Sequence, residues 1–203
     1  MKLYDGGRAP NPRRVRIFLA DKGISVPMEL VDLGAMQQKS AAFTAINPIQ
    51  RVPVLVLDDG TSIAESIAIC RYFEALHPEP SLFGRDAKEA AVIEMWSRRL
   101  ELHLFVPISH VFRNSHPAMK ELEVPQVPAW ADANRPRITD FLGILDRELR
   151  DRPFAAGDRY SVADITGLVA LDFMKPAKLT VPEECANVRR WHRDLSARPS
   201  ASA

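Results

Sequence analysis

Short apolar segments alternate with amphipathic ones over the first 80 residues, and beyond them only the longer helical period persists. Lys2–Tyr4 opens as a short strand. From Pro12 to Lys22, Val15, Phe18 and Leu19 recur at helical spacing, and Gly23 stops that helix. Met28–Leu33 alternates as a strand, which puts Met28, Leu30 and Asp32 on one face. Val52–Leu57 is dense in β-branched residues and ends on Asp58-Asp59-Gly60, a hairpin signal, with Ser62–Ile63 as the returning strand. Glu65–Leu76 carries Ile67, Cys70 and Phe73 in helical register. The order is βαβ, then a ββ hairpin, then α.

His77-Pro78-Glu79-Pro80 breaks this pattern, and no strand is predicted after it. A long helix over Asp86–Phe112 places Met95, Trp96, Leu100, Leu104, Ile108 and Val111 three and four residues apart. Pro107 should kink it. A second long helix spans Pro128–Arg150 and is expected to break or bend at Pro136. A nearly all-apolar helix begins at Ser161-Val-Ala-Asp164, and Asn187–Leu195 forms a last one. The predicted organisation is a small α/β domain over residues 1–77, a linker over 78–85 and an all-helical domain over 86–203.

Composition narrows the function. Of 203 residues, 46% are apolar and 26% charged, which is the balance of a folded globular protein able to bury its own core. The 27 basic and 26 acidic side chains leave no basic excess, so no nucleic-acid partner is expected. Cys70 and Cys185 stand apart with no CxxC or Cys/His cluster, which disfavours a disulfide framework and a metal site. MKLYDGG lacks the apolar core of a signal peptide. The stretch around ITGLVALDFM is interrupted by Asp172 and falls short of the ~20 residues a membrane span needs. A cytoplasmic protein without membrane attachment is expected.

Three short motifs can carry chemistry. A proline opening a strand, as in Val52-Pro53, is either an ordinary trans residue or a cis one. A cis bond would turn the Val52 N–H and C=O outward toward an extended peptide ligand. Ala64-Glu65-Ser66 opens the third helix, where Ser and Glu serve as caps or build a pocket for an α-amino acid. In the pocket reading, the Ser66 hydroxyl and the first-turn N–H groups hold the carboxylate while Glu65 meets the ammonium. Asn11-Pro12 reads as an N-cap followed by a first-turn proline, and the Asn11 NH₂ remains able to donate to an anion. Arg13, Arg14 and Arg16 crowd the same turn, where the helix dipole disfavours cations. At least one of them is expected to serve an anionic ligand, the others forming a solvated face.

Together these residues resemble the cytosolic glutathione transferase superfamily. QQKSAAFTAINPIQRVPVLVLDDGTSIAESIAICRYFEALHP is similar to its glutathione-site signature, Ser161–Asp164 to its buried-helix capping box, and NVRRWHRDLSARP to its closing helix. The resemblance covers nearly the whole chain. It implies a thioredoxin-like domain followed by a helical one, a homodimer, and glutathione as co-substrate for a small electrophile in detoxification. By the same resemblance, Glu65 and Ser66 take the γ-glutamyl end and the backbone of Val52, ahead of Pro53, pairs with the cysteinyl unit. Gln38, Lys39, Gln50 and Arg51 fall where the family contacts the glycyl carboxylate.

The thiol end departs from the family pattern. Aligned through Val15, Ala9 occupies the position where many members carry Ser or Cys, and Asn11 lies two residues later. Bacterial Nu-type members read Thr-Pro-Asn there, and Asn11 fits that pattern while Ala9 does not. A thiol with a pKa of roughly 8.5 is only a few per cent ionised at neutral pH. Each unit of depression requires about 1.4 kcal/mol of preferential anion stabilisation. One amide donor with a helix N-terminus and nearby arginines is able to supply one or two units. The electrophile is expected between the domains, near Arg99, His103, Phe112 and His116. Three functions are thus in play: glutathione transfer, glutathione-dependent disulfide reduction, and a scaffold that has lost the chemistry.

Overall fold

A computed structural model describes all residues, Met1–Ala203. The chain divides into two compact units, Met1–Ser81 with Pro199–Ala203, and Leu82–Arg198.

In the first unit the elements are β1 (Lys2–Asp5), α1 (Pro10–Asp21), β2 (Met28–Leu30), α2 (Ala41–Ile46), β3 (Val54–Val56), β4 (Ser62–Ala64) and α3 (Ser66–Leu76). The sheet order is β2-β1-β3-β4, with β1 parallel to β2 and antiparallel to β3, and β3 antiparallel to β4. This is the expected thioredoxin-like arrangement. Leu3 and Leu55 pair across β1 and β3, and both are fully buried, as are Val15, Phe18 and Ile69 from α1 and α3. Tyr4 and Val54 pair on the other face, where Val31 and Phe43 complete a second apolar cluster.

Three local expectations change. The helix α2 was not foreseen. Its six residues are too few to show a period, and it is fixed by Ser40, whose Oγ accepts from the Phe43 N–H at 3.2 Å. Strand β2 stops at Leu30 rather than Leu33 and lies at the sheet edge, with Met28 and Leu30, placed on one face by the alternation, exposed and Val31 just beyond it buried. Helix α1 begins at Pro10 rather than Pro12, with Ala9 as its N-cap.

The second unit comprises α4 (Ala87–Leu100), a π-helical turn over Glu101–Phe105, α5 (Val106–Ser115), α6 (Pro128–Glu148), α7 (Val162–Met174) and α8 (Ala186–Ser196). Pro107 acts through the turn before it. Its ring crowds the carbonyl four residues back, and the ladder widens there, with the Val106 N–H donating to the Glu101 C=O. Pro136, in contrast, does not break α6, which runs through it as one helix. Asp132, whose carbonyl loses its donor, is exposed, so water can replace the missing N–H.

Helix α7 is the core of this unit, with every residue from Val162 to Leu171 buried. Asp164 is buried with them. One carboxylate oxygen accepts from the Ala155 N–H (2.8 Å) and the Trp191 indole (3.0 Å), the other from the Ser161 N–H (2.9 Å) and hydroxyl (3.1 Å). Burial still pushes its pKa up to about 6. Trp191 lies across Gly167, so close that a Cβ there would stand 2.0 Å from the ring. No helix in the chain is long and apolar enough to cross a membrane.

The closing turn Pro199–Ser202, expected with the helical domain, groups instead with the first unit. The Ala201 carbonyl accepts from Arg13 Nη2 of α1 at 2.9 Å.

Candidate functional site

Register places four chain segments at one end of the sheet. Tyr4 faces Val54 and Val54 faces Ala64, so the exit of β1, the entry to β3 and the turn from β4 into α3 are neighbours. The exit of β2 lies at the same end, because β2 runs parallel to β1. Asn11, Val52, Glu65 and Ser66 all belong to these segments. Gly6 is the packing point among them. A Cβ there would approach Val52 Cγ2 to 2.5 Å, Leu33 Cδ1 to 3.2 Å and Pro12 Cγ to 3.3 Å. Asp5 fixes the loop that follows β1: its carboxylate accepts from the Gly7 N–H at 2.7 Å and pairs with Arg16.

With Ala9 as the cap, Asn11 is the second residue of α1 and caps nothing. Its half-buried side-chain amide makes no hydrogen bond within the chain. The cap reading is therefore replaced by that of a free donor in a helical first turn. The peptide between Val52 and Pro53 is cis. The Val52 N–H and C=O bond to nothing in the chain.

Glu65 stands at the N-cap of α3 with φ +68°, a left-handed conformation that is costly for a side-chain-bearing residue, and its side chain is exposed. It caps no N–H of the helix. Ser66 is buried and its Oγ accepts from Arg14 Nη1 at 3.0 Å. The three first-turn arginines are thus all engaged within the fold: Arg13 on Ala201, Arg14 on Ser66 and Arg16 on Asp5. None of them forms the solvated basic face expected from sequence, and Arg14 is fully buried.

The residues expected at the glycyl carboxylate differ in accessibility. Gln38 lies in a 3₁₀ turn and is buried, its amide nitrogen 3.6 Å from Met36 Sδ and its Oε1 without a partner. Lys39 is exposed. Gln50 is half-buried at φ +58° and donates to Thr44 Oγ1 at 3.0 Å. Arg51 is exposed, and its carbonyl accepts from the Asn47 amide at 2.8 Å.

The four residues expected around the electrophile fall in three separate places of the second unit. Arg99 lies over the Trp96 ring, 5.0 Å from its centre. His103 stacks on Phe141 (5.7 Å, 28°) in a groove of about 450 Å³ that His110, Trp130 and Arg137 also line. Phe112 stacks on His116 at 4.7 Å and meets Phe173 of α7 at 5.0 Å. Helical spacing alone did not separate these faces, because the π-helical turn shifts the register between residues 99 and 112. Cys70 is fully buried, which pushes its thiol up to about 12 and removes it as a nucleophile. Trp96 and Trp191 are core residues, whereas Trp130 is 39% exposed.

Comparison with known proteins supplies an independent line. Residues 1–75 match the family model for the glutathione S-transferase N-terminal domain, and residues 104–199 match that for the C-terminal domain. The chain is 41% identical to glutathione S-transferase 2 of Saccharomyces cerevisiae, over 98% of this chain and 87% of that one. It is 40% identical to the maleylacetoacetate isomerase of Pseudomonas aeruginosa, over 81% of this chain and 77% of that protein. The crystal structure of Gtt2 from S. cerevisiae superposes with a TM-score of 0.94 at 40% identity, covering 100% of this chain and 99% of that one.

Proposed function

Because the chain belongs to the glutathione S-transferase family, we propose that it activates glutathione through Asn11, at the sheet end where Val52, Glu65 and Ser66 meet. Its activity is glutathione transfer. The bound tripeptide loses its thiol proton to solvent, and the thiolate forms the carbon–sulfur bond with an electrophile, either expelling a leaving group such as halide with its electron pair or breaking the π bond of an activated alkene whose carbanion takes a proton from solvent, without a covalent enzyme intermediate.

The observation that carries the assignment to Asn11 is its amide: half-buried, in the first turn of a helix, with no partner in the chain. A donor in that position, reinforced by the partial positive charge of the α1 N-terminus, favours a thiolate over a thiol. Val52 presents a free N–H and C=O, the pair an extended peptide needs. Ser66 and the exposed Glu65 carboxylate suit the α-carboxylate and ammonium of a γ-glutamyl group. For the glycyl carboxylate, the exposed cations Lys39 and Arg51 are the better contacts. Gln38 is buried, and we assign it to holding the turn. Gln50 supports the same loop through Thr44.

We further infer a cytoplasmic homodimer that detoxifies small electrophiles. Three large apolar side chains exposed on the first unit, Met28, Leu30 and Ile49, support association. Sedimentation of the purified protein checks it, and a monomer at micromolar concentration refutes it.

Calorimetric titration with reduced and oxidised glutathione tests the ligand, followed by panels of aryl halides, activated alkenes and mixed disulfides. One reduced glutathione per chain and turnover of an electrophile that falls about ten-fold in Asn11→Ala is the expected result. Turnover of mixed disulfides alone would move the chemistry to disulfide reduction, and binding of neither form would leave a scaffold.

A further inference from the structure

The bond between Arg14 and Ser66 has a direction. Arg14 is 1% exposed and Ser66 5%, and Arg14 Nη1 lies 3.0 Å from Ser66 Oγ. A guanidinium has donors and no lone pair, so the arginine donates and the serine accepts. A hydroxyl carries one hydrogen. With a lone pair of Oγ committed to Arg14, that hydrogen is left for another acceptor, and no acceptor within the chain takes it. A buried hydroxyl hydrogen without a partner is costly unless something outside the chain receives it. Ser66 is the first residue of α3, beside the exposed carboxylate of Glu65, at the sheet end where the site lies.

We propose that Arg14 is a positioning residue for carboxylate recognition, holding Ser66 as an obligatory donor toward the α-carboxylate of the bound γ-glutamyl group. This rests on reading Ser66 as the seat of that carboxylate. Arginine suits the task better than a neutral partner. A glutamine at position 14 would satisfy Ser66 equally well as donor or acceptor, leaving the hydroxyl free to turn inward. Arginine remains protonated and fixes one direction. Its buried charge also polarises the hydroxyl, and hydrogen bonds in series strengthen one another. Arg14 lies three residues after Asn11 on α1, so the same cross-link sets the distance between the thiol end and the γ-glutamyl end of the ligand.

The alternative is that Arg14 merely ties α1 to α3, and the choice of ligand separates the two. The probes are reduced glutathione and γ-aminobutyryl-cysteinyl-glycine, which keeps the amine and thiol and lacks only the α-carboxylate. Calorimetry on the whole protein should show glutathione binding about ten-fold or more tighter than the analogue, as expected for a hydrogen bond to a charged group. In Arg14→Gln most of that preference should vanish while affinity for the analogue is kept. In Ser66→Ala the preference should already be lost, and adding Arg14→Gln should change it no further. If Arg14→Gln weakens both ligands by the same factor, Arg14 is a cross-link only and the proposal falls. If the unaltered protein does not discriminate between the two ligands, the carboxylate seat itself is misplaced, and both readings fall together. Should Arg14→Gln not fold, Arg14→Lys decides. Lysine also only donates, so the preference should survive, and its loss in a folded Arg14→Lys protein overturns the proposal.

Discussion

Replacing Gly167 by alanine sets two effects of opposite sign against each other inside α7. In a helix interior alanine is favoured over glycine by about 1 kcal/mol, so propensity alone predicts stabilisation. Packing predicts the reverse. The added Cβ would stand 2.0 Å from Trp191 Cη2, 2.9 Å from Cζ3 and 3.0 Å from Cζ2. Carbon atoms at rest are ~3.5 Å apart or more, so the indole must retreat by about 1.5 Å. It has nowhere to go: Trp191 is fully buried and its Nε1 is held by Asp164 at 3.0 Å. Overpacking costs about 1–3 kcal/mol, and a broken bond to the buried carboxylate about 1.5–3 kcal/mol more. After the propensity gain the expected net loss is roughly 1.5–5 kcal/mol, or some 3–20 °C in Tm for a chain of this size. Thermal and urea unfolding followed by circular dichroism measure it. Gly143→Ala is the matched control, since a Cβ there meets only Arg147 Nη1 at 3.9 Å, and it should gain up to about 1 kcal/mol. A Gly167→Ala protein as stable as the parent, or more so, would show that the ring moves freely and that the close-packed reading of α7 and α8 is wrong.

Other expectations follow from the site and the core. Asn11→Ala should raise the pKa of bound glutathione by about one unit and lower turnover about ten-fold at neutral pH, with glutathione affinity nearly intact. Thiolate absorbance against pH reads the first, and an unchanged titration removes Asn11 from the chemistry. Ser66→Ala should weaken glutathione binding about ten-fold. Calorimetry checks this, and unaltered affinity excludes a role for the hydroxyl. Burial raises Asp164 from 3.8 to about 6, so the folded state holds this proton more tightly than the unfolded chain does. Its contribution to stability is full below pH ~4 and falls away as pH rises to ~6, by about 3 kcal/mol in all. Asp164→Asn should lose stability at every pH and lose that slope as well. An identical slope in both proteins would assign the titration elsewhere.

The order of elements in both units was legible because amphipathic runs such as Val15–Phe18–Leu19 and Val52–Leu57 bury the faces their periods define. Segments too short for a period were not. Ala41–Ile46 shows its helix only through the Ser40 cap, and Met28–Leu30 alternates as an inner strand would while lying at an edge. The motifs Val52-Pro53 and Glu65-Ser66 could be read because their chemistry is local. Arg14 was read as one of three similar cations, since its burial and its bond to Ser66 depend on a residue 52 positions away. The scatter of Arg99, His103 and Phe112 was hidden for a related reason. The π-helical turn adds a fraction of a turn between them, and no residue type marks it until Pro107 shows where the ladder must give way.

The Arg13–Ala201 bond joins positions 188 residues apart, across the whole of the second unit. During synthesis the residues of the sheet and its helices are all made long before Ala201 exists, so whatever form the first unit takes until then lacks its closing turn. Contacts of such long separation form late, because closing the intervening loop costs entropy that grows with its length. The helix that carries Asn11 is therefore tied down by a residue made only after the whole second unit, and the reactive end of the protein reaches its final form only when translation has passed residue 201.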